Sequence, residues 1–495
     1  MAGLRQHISR GSNYGKLVLL IGLLVGVPLV VLPFYPAEAR YMPAFLFPML
    51  FSFLLGFAIC ETTYRKKEAV NVWQSPLQRG SLVILFVWSY SFCIGAAPFV
   101  IAGQLDLVRA LFESVSGWTT TGLTVVDVTA MPRIFLFHRS FMQYCGGLGF
   151  ILMMAIVVQS KQSMVLYNAE GHLDRLMPSL KQTSRIIFAI YSGFLVLGTL
   201  LYRLFGMKLF DAVCHTMSAL STAGFTTQAG SIGAYGSLPI ETVTVILMLV
   251  GASNFAILLL LTEGKIRQIF RVTEMRFLVC LLAVFVPLSA CSLAAGMNIG
   301  IGESFRHALF GVVTTFSTTG YSTTNYAAWP PFALGLLILL MIIGGSAGST
   351  AGGIKLSRTY FLLRITRENI RARLSPAIQT TSPTYITARG KAPIDNALVV
   401  DTFGFVACYM GVCIVGTLLT ALTAGCSLFD AMFEFASALG TVGISNGLTN
   451  AGTNAATLVV EMAGMILGRL EVFVVFFGLV SGVQLMKRKL RRKSG

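Results

Sequence analysis

One heptapeptide differs sharply from the sequence around it: it reads Ser317-Thr318-Thr319-Gly320-Tyr321-Ser322-Thr323. It is rich in hydroxyl groups, contains a glycine, and stands between two long apolar runs. Backbone polar groups at membrane depth must be satisfied by protein or by a water-filled cavity. If the surrounding chain crosses a membrane, the heptapeptide therefore predicts a loop whose polar groups face protein partners or a water-filled cavity.

The composition indicates an integral membrane protein. The 495 residues are 55% hydrophobic and 12% charged, whereas soluble domains are about 25% charged. Many uncharged runs are near or above the roughly 17 to 25 residues that a spanning helix needs. They are residues 17–34, 42–60, 81–104, 140–160, 187–201, 242–262, 277–302, 331–354, 402–429 and 472–486. We predict an all-α polytopic membrane protein with about ten spanning helices.

The basic residues predict the topology. The formal net charge is +17, and Lys and Arg gather in the connections at 65–79, 161–185, 265–276, 355–391 and 487–493. The positive-inside rule places these clusters, and both termini, in the cytoplasm. Because the charge is spread along short connections rather than gathered in one domain, nucleic-acid binding is disfavoured.

The opening heptapeptide has three relatives in the chain. Each copy has a Thr two positions before a Gly, and an apolar residue directly after that Gly. The copies are Thr119-Thr120-Thr121-Gly122-Leu123, Ser221-Thr222-Ala223-Gly224-Phe225, Ser317-Thr318-Thr319-Gly320-Tyr321 and Gly440-Thr441-Val442-Gly443-Ile444. Their glycines are spaced by 102, 96 and 123 residues, which indicates a fourfold internal repeat.

A short amphipathic stretch precedes each copy. The four stretches are residues 110–119, 209–220, 304–316 and 427–439. About 12 helical residues rise only about 18 Å, which suits a re-entrant helix better than a spanning one. We therefore predict four units of helix, short helix, loop and helix around one central pore. The predicted bounds are 1–75 for an accessory helix pair, then 76–165, 180–270, 272–375 and 394–495 for the units.

The repeated loops predict a site for monovalent cations. A short helix that ends inside the membrane presents the negative end of its dipole there, and glycine lets the following carbonyls turn inward. Rings of carbonyls replace the hydration shell of a cation. The loops themselves contain no Asp or Glu, which a divalent site would prefer.

This pattern resembles a known family. The third loop resembles the TVGYG filter of potassium channels, and four imperfect copies in one chain are similar to the Trk/Ktr/HKT superfamily of cation transporters. The N-terminal helix pair and the length are most similar to the bacterial Trk-type membrane subunit. The resemblance covers residues 16 to 490 and implies potassium uptake across the bacterial inner membrane, with no enzymatic activity and no organic cofactor.

The resemblance also implies site residues and partners. Potassium would bind in a filter formed by Thr120, Thr121, Gly122, Thr222, Ala223, Gly224, Thr318, Thr319, Gly320, Thr441, Val442 and Gly443. The family forms homodimers on a cytoplasmic ring of nucleotide-binding regulatory subunits, so the same partners are expected here. Such subunits would dock on the basic loops, including residues 355–393.

Residues 344–353 interrupt an apolar run with five glycines in ten positions. Close helix packing through small residues is one interpretation. A broken helix is favoured, because here small residues surround the whole circumference and each glycine costs about 1 kcal/mol in a helix. The resemblance implies a gate beneath the filter, formed by Gly344, Gly345, Gly348, Gly352, Gly353 and Arg469. Lys355 and Arg358 would mark the cytoplasmic exit.

Charged residues inside apolar regions leave alternatives open. Arg469 is either an electrostatic barrier in the ion path, as the resemblance implies, or a structural partner of Glu461 or, less favourably, Glu471. Three further residues stand nine positions before their glycines: Glu113, His215 and Glu434. They either concentrate cations or anchor the short helices, and the sequence does not decide between these roles.

Two other functions remain as alternatives. A secondary transporter of another monovalent cation, such as sodium, or of a small solute would use broken helices around a midplane site. Such transporters usually have inverted repeats, whereas these four units share one orientation. An intramembrane enzyme is disfavoured, because it needs a nucleophile with its base or a metal site, and the chain has no HExxH.

Overall fold

A computed structural model describes residues 13–65, 76–149, 180–374, 383–388 and 390–493. Parts of four predicted units lie outside the described residues. They are residues 1–12 and 66–75 of the accessory pair, 150–165 of the first repeat, 375 of the third and 494–495 of the fourth. Apart from one small hairpin, the regular structure is helical. The prediction of an all-α polytopic membrane protein is confirmed.

The accessory pair consists of α1 (Asn13–Gly26) and α2 (Met42–Arg65), joined by 3-10 turns at Val27–Val31 and Pro36–Tyr41. The two helices approach closely because small residues lie between them. A Cβ built on Gly56 would lie 2.9 Å from the carbonyl oxygen of Gly15, and one built on Gly22 would lie 2.5 Å from Cβ of Ser52. Small residues at such contacts are typical of helix association in membranes.

The first two repeats follow the predicted order of helix, short helix and helix. The first repeat comprises α3 (Pro76–Ile101), α4 (Leu107–Trp118) and α5 (Arg133–Leu148). The second comprises α6 (Leu180–Leu204), α7 (Leu209–Leu220), a 3-10 turn at Ser231–Tyr235, α8 (Leu238–Gly251) and α9 (Phe255–Thr262). The short α10 (Ile266–Ile269) connects to the third repeat.

The third and fourth repeats begin with the same order of helix, short helix and helix, and each adds one more helix. The third comprises α11 (Thr273–Met297), α12 (Ile301–Phe316), a 3-10 turn at Tyr326–Ala328, α13 (Pro331–Ile343) and α14 (Leu356–Leu374). The fourth comprises α15 (Asn396–Ala424), α16 (Leu428–Leu439), α17 (Ala455–Arg469) and α18 (Val472–Lys493). The four short helices α4, α7, α12 and α16 begin and end within a few residues of their predicted bounds.

One predicted spanning run is a bent helix pair, and another, 472–486, is the second helix of such a pair. The run at 242–262 is divided between α8 and α9, which meet at 116°. The helices α17 and α18 meet at 103°. Within the described residues, six helices are long and apolar enough to cross a membrane, or eight when each bent pair counts as one span. The predicted number of about ten also included two other runs. One contains the short α13, and the other, 140–160, contains the end of α5 and is described only to residue 149.

A two-stranded hairpin lies in the basic connection between the third and fourth repeats. Strands β1 (Thr384–Thr387) and β2 (Gly390–Pro393) pair in antiparallel register, with Thr384 opposite Pro393. Tyr385 packs edge-on against Phe361 of α14, with ring centroids 4.7 Å apart. The all-α prediction did not include this hairpin, whose four-residue strands are too short to show a clear alternation of apolar residues.

Large apolar side chains cover both the inside and the outside of the helical bundle. Trp118, Phe99 and Tyr321 are fully buried, whereas Leu54, Leu204 and Leu422 are mostly exposed. A soluble domain rarely exposes so many large apolar side chains in contiguous patches. A lipid environment accounts for this outer surface, since lipid tails are as apolar as leucine.

Candidate functional site

The four short helices end in the same way. At each end, the backbone N–H of Thr121, Ala223, Thr319 or Val442 donates to the carbonyl five residues earlier, at 2.8–3.0 Å. The residue before each of these donors has a positive φ: 57° at Thr120, 52° at Thr222, 56° at Thr318 and 50° at Thr441. This hydrogen-bond pattern is the Schellman motif, in which a left-handed residue ends a helix.

Threonine is an unusual residue for that position. The left-handed conformation costs a residue with a Cβ roughly 1–2 kcal/mol, and glycine usually occupies it. Four threonines therefore hold the same strained conformation at equivalent places in the chain. Strain of this kind persists only where the surroundings enforce it, and it is concentrated at functional sites.

The four glycines of the loops contact one another's loops in a closed cycle. All have positive φ, from 77° at Gly224 to 98° at Gly122. A Cβ built on Gly122 would overlap the carbonyl oxygen of Ala223, and one on Gly224 would overlap that of Thr319. The cycle continues from Gly320 to Val442 and from Gly443 back to Thr121. The structure thus brings the twelve residues predicted for the filter together in one ring.

Hydroxyl pairs brace two of the four loops. The hydroxyls of Thr119 and Thr121 lie 2.8 Å apart, and those of Ser317 and Thr319 lie 2.8 Å apart. The second and fourth loops have no such pair, because Ala223 and Val442 lack the hydroxyl. The ring therefore has a common backbone but different side-chain support in alternate repeats.

Glu113 anchors the chain that leaves the first loop. Its carboxylate accepts hydrogen bonds from the Thr124 hydroxyl at 2.6 Å and from the Val125 backbone at 2.7 Å. Its other oxygen lies 2.8 Å from Nε of Arg139, and both side chains are buried. A carboxylate that is buried and paired in this way supports the short helix rather than attracting ions from solution.

Glu434 has the equivalent position in the fourth repeat and, among the described residues, has no guanidinium partner. The backbone N–H groups of Asn446 and Thr449 donate to it at 3.3 and 3.1 Å. The Thr449 hydroxyl contacts both Glu434 and Glu461, and both carboxyl groups are buried. Glu461 is therefore engaged beside the short helix rather than at Arg469.

His215 stands at the same position in the second repeat. Its Nδ1 lies 2.8 Å from the carbonyl oxygen of Asp211, one turn earlier. The hydroxyl of Tyr321, the residue after Gly320, donates to the His215 carbonyl at 3.0 Å. Like Glu113, His215 is buried, and its carbonyl links the second repeat to Tyr321 of the third.

The glycine-rich stretch 344–353 is a loop between two helices, as predicted. Helix α13 ends at Ile343, and the chain returns so that Lys355 N–H donates to the Ile343 carbonyl at 2.9 Å. Gly344, Gly348 and Gly353 all have positive φ. We call residues 344–353 the Gly-rich loop.

The Gly-rich loop contacts the ring through hydrogen bonds to two of the strained threonines. The backbone N–H of Gly352 donates to the Thr318 hydroxyl at 2.9 Å. The hydroxyls of Thr350 and Thr222 lie 2.9 Å apart. The hydroxyls of Thr120 and Thr441 have no hydrogen-bond partner among the described residues.

Arg469 joins the Gly-rich loop to the first repeat. Its guanidinium donates to the carbonyl oxygens of Thr350 and Gly146, both at 2.6 Å. Glu471 instead pairs with Arg358, at 3.1 and 3.2 Å, and the Lys355 ammonium contacts the Ala351 carbonyl. The proposed pairings of Arg469 with Glu461 or Glu471 are thus replaced by contacts with backbone carbonyls.

A small cavity opens beside Arg469. It is lined by residues that include Trp88, Gly149, Lys355 and Glu471, and its volume is about 40 Å³. This is enough for a few water molecules. Of the six residues predicted for the gate, Gly348, Gly352 and Arg469 line this cavity. The other three, Gly344, Gly345 and Gly353, belong to the same loop but do not line it.

The Gly-rich loop also contains a pattern that sequence reasoning overlooked. Residues 344–348 read Gly-Gly-Ser-Ala-Gly, which matches G-x-S-x-G. In a hydrolase this pattern forms a strained turn between a strand and a helix. Here it follows α13, and Ser346 N–H donates to the Ala252 carbonyl at 3.1 Å. The setting is that of a packed loop between helices rather than a nucleophile elbow.

Two further residues at the site were not predicted. Thr350 contacts Thr222, Arg469 and the Gly251 carbonyl. Gln143 of α5 reaches the second loop, where its amide donates to the Ala223 carbonyl at 2.7 Å. The sequence signal available for Gln143 was the position of its amide inside the predicted apolar run 140–160.

The fold and the ring define a class: polytopic helical membrane proteins with four pore-loop units in one chain. Residues 97–480 match the TrkH family, described as cation transport proteins. The chain belongs to the TrkH family of cation transport proteins.

Several known proteins are similar to this chain over most of its length. The Trk system potassium uptake protein TrkG of Escherichia coli (strain K12) is 32% identical, over 93% of this chain and 95% of that protein. TrkH of Salmonella typhimurium is 29% identical, over 80% of this chain and 84% of that protein. The crystal structure of the potassium transporter TrkH from Vibrio parahaemolyticus covers 96% of this chain, with a TM-score of 0.80 and 26% identity.

Proposed function

We propose that this protein takes up potassium through one pore that passes between the four Thr/Gly loops. The observation that carries the proposal is the closed cycle in which each loop glycine contacts a carbonyl oxygen of the next loop. Four carbonyls held around one point can replace water around a monovalent cation. The potassium uptake proteins TrkG and TrkH, which are similar over most of this chain, support potassium as the substrate.

The ends of the short helices would add to the attraction of the ring for cations. Each helix directs its C-terminus, the negative end of its dipole, toward the loops. No side-chain carboxylate lies in the loops themselves. The ring would therefore bind an ion mainly through carbonyl dipoles. Such binding suits a monovalent cation, because it is strong enough for the ion to enter the ring and weak enough for the ion to leave it. An interior-negative membrane potential supplies about 2.3 kcal/mol per charge at 100 mV.

The Gly-rich loop would be the gate. It lies against the ring, and a Cβ built on Gly352 would overlap the Thr441 hydroxyl, so the loop fills the space on that side. Arg469 would hold it closed through Thr350 and would also repel cations. Opening would require the loop to release Thr222, Thr318 and Arg469.

We propose a homodimer in the bacterial inner membrane, with both termini cytoplasmic and with nucleotide-binding regulatory subunits docked on the basic loops. The basic connection that includes α14 and the hairpin would offer the docking surface. Affinity purification from the native host tests this assembly. Recovery of a monomer without such subunits, under conditions that preserve membrane complexes, would contradict it.

Flux measurements test the transport function. We would reconstitute the protein into liposomes and compare potassium with sodium uptake for wild type, Gly320→Ser and the control Gly335→Ser. A Cβ on Gly320 would overlap the Val442 carbonyl, whereas nothing lies within 4 Å of one on Gly335. We expect preference for potassium in wild type and the control, and its loss in Gly320→Ser. Absence of cation flux from wild type, with and without regulatory subunits, would refute a pore.

A further inference from the structure

Gln143 is a fully buried amide side chain that crosses from the first repeat to the second loop. Its Nε2 donates to the Ala223 carbonyl at 2.7 Å. Its Oε1 accepts from the Ser218 hydroxyl at 2.7 Å and from the Phe225 backbone N–H at 3.2 Å. One side chain thus binds the second loop both before and after Gly224.

The partners fix the orientation of this amide. The Phe225 N–H can only donate and the Ala223 carbonyl can only accept, so oxygen must face the first and nitrogen the second. Exchanging the two amide atoms would leave both contacts repulsive. Donation from Gln143 to the Ala223 carbonyl is therefore set by chemistry rather than by choice of rotamer.

The Ala223 carbonyl is one of the four that the loop glycines contact. Among the described residues, no side chain donates a hydrogen bond to its counterparts, the carbonyls of Thr121, Thr319 and Val442. The residues at the same distance after the other glycines are Val245, Met341 and Gly464, which cannot donate from a side chain. Within the described part of the chain, one carbonyl of the ring thus accepts a hydrogen bond from a side chain and three do not.

The sequence of the second loop explains why it needs this support. In the first and third loops, a hydroxyl pair two residues apart braces the chain before the glycine. Ala223 has no hydroxyl to form such a pair, and Ser221 bonds back to its own helix at Met217, at 2.8 Å. Gln143 supplies from a neighbouring repeat the restraint that the second loop lacks.

We infer that Gln143 is a specificity-determining positioning residue: it fixes the direction of the Ala223 carbonyl and so limits how far the ring can contract around a smaller cation. A ring of mobile carbonyls adapts to sodium as well as to potassium, whereas a ring with a fixed member adapts less. The inference rests on the proposed function, because it requires that ions pass through the ring.

Two substitutions separate this role from simple packing. Gln143→Glu keeps an acceptor for Ser218 and Phe225 but cannot donate to the Ala223 carbonyl in its ionised form. Gln143→Leu removes all three contacts without adding charge. The control is Tyr202→Phe, which removes a buried hydrogen bond of 2.7 Å to Thr244 elsewhere in the second repeat. Each is compared with wild type and Gly320→Ser in liposomes.

The measured quantity is the ratio of potassium to sodium flux, with the yield of folded protein recorded beside it. We expect the ratio to fall about fivefold in Gln143→Leu, the factor that one hydrogen bond typically contributes, and to stay within about twofold in Tyr202→Phe. Gln143→Glu should behave like Gln143→Leu at a pH where its carboxyl group is ionised, and like wild type at a pH where the group is protonated and can donate. An unchanged ratio in folded Gln143→Leu, with only yield or total flux reduced, overturns this inference and leaves the proposed function intact. A wild type that does not discriminate overturns both.

Discussion

The four loops of the ring have the same backbone geometry, whereas the side chains that hold each loop differ from repeat to repeat. The four loops have the same helix end, the same left-handed threonine and the same glycine contact in every repeat. The groups that hold them differ: an ion pair with Arg139 at the first, Gln143 at the second, the Gly-rich loop against the third, and two carboxyl groups that share the Thr449 hydroxyl at the fourth. The common geometry is therefore a property of the backbone, and the differences between repeats lie in the side chains around it.

Substitution of the four glycines tests the equivalence of the loops most severely. We expect Ala at Gly122, Gly224, Gly320 or Gly443 to abolish potassium selectivity to the same extent. Overlap with a carbonyl and left-handed strain together destabilise the wild-type ring geometry by roughly 4 kcal/mol. This corresponds to a decrease of about a thousandfold in the population of that geometry. Gly335→Ala is the control, because nothing lies near its Cβ. If one of the four variants retained wild-type selectivity, its loop would not belong to the ring.

Loss of a support should instead depend on the repeat. Glu113→Gln leaves Arg139 buried without its charged partner and should destabilise the protein by roughly 3 kcal/mol. Thermal unfolding in detergent measures the effect. The exposed pair of Glu263 and Lys265, 2.6 Å apart, provides the control Glu263→Gln, for which we expect less than about 1 kcal/mol. Equal shifts in the two variants would show that Glu113 is not an anchor.

Arg469→Gln tests whether the Gly-rich loop closes the pore. The variant weakens the contacts with Thr350 and Gly146 and removes a positive charge. Hydrogen bonds from charged groups contribute about 2 kcal/mol, so we expect potassium flux to rise by more than about tenfold with an unchanged potassium-to-sodium ratio. The control is Arg267→Gln, on an exposed connection. A fall in flux, or a change in the ratio, would place Arg469 in the filter rather than in the gate.

The strained threonines differ in whether their hydroxyl is hydrogen-bonded to the Gly-rich loop. Comparing one of each kind gives the smallest expected effect on flux. Thr318→Val removes the acceptor for Gly352 N–H, a hydrogen bond worth about 1 kcal/mol, so basal flux should rise about fivefold. Thr120→Val removes a hydroxyl that has no hydrogen-bond partner among the described residues, so the same flux assay should not show this rise. An equal rise in both variants would mean that the Gly-rich loop is not held through Thr318.

The sequence predicts the ring better than it predicts what lies around it. The four short helices and their loops were recognisable because each needs a helix end, a glycine and an apolar residue at fixed spacing, which repetition makes visible. The closed cycle of contacts could not be read in the same way. It depends on the order in which the units surround the pore, and this order is a property of the packed fold.

The supports were hard to predict because each is a contact between distant parts of the chain. Hydropathy does not distinguish a straight helix from one that bends by 116° after Gly251. The N-cap residue Asn254, whose side chain accepts from Ala256 N–H at 2.8 Å, was the one local sign of a new helix there. For Arg469, the sequence indicated a functional charge but not its carbonyl partners, which come from the first and third repeats.

Direct observation of bound ions would test the central claim that the four loops surround a single ion path. The measurement is the anomalous scattering of thallium, a potassium substitute, in crystals of the protein. We expect a peak inside the ring, at similar distances from the loops of Gly122, Gly224, Gly320 and Gly443. A thallium site elsewhere in the membrane region, with none inside the ring, would contradict the account.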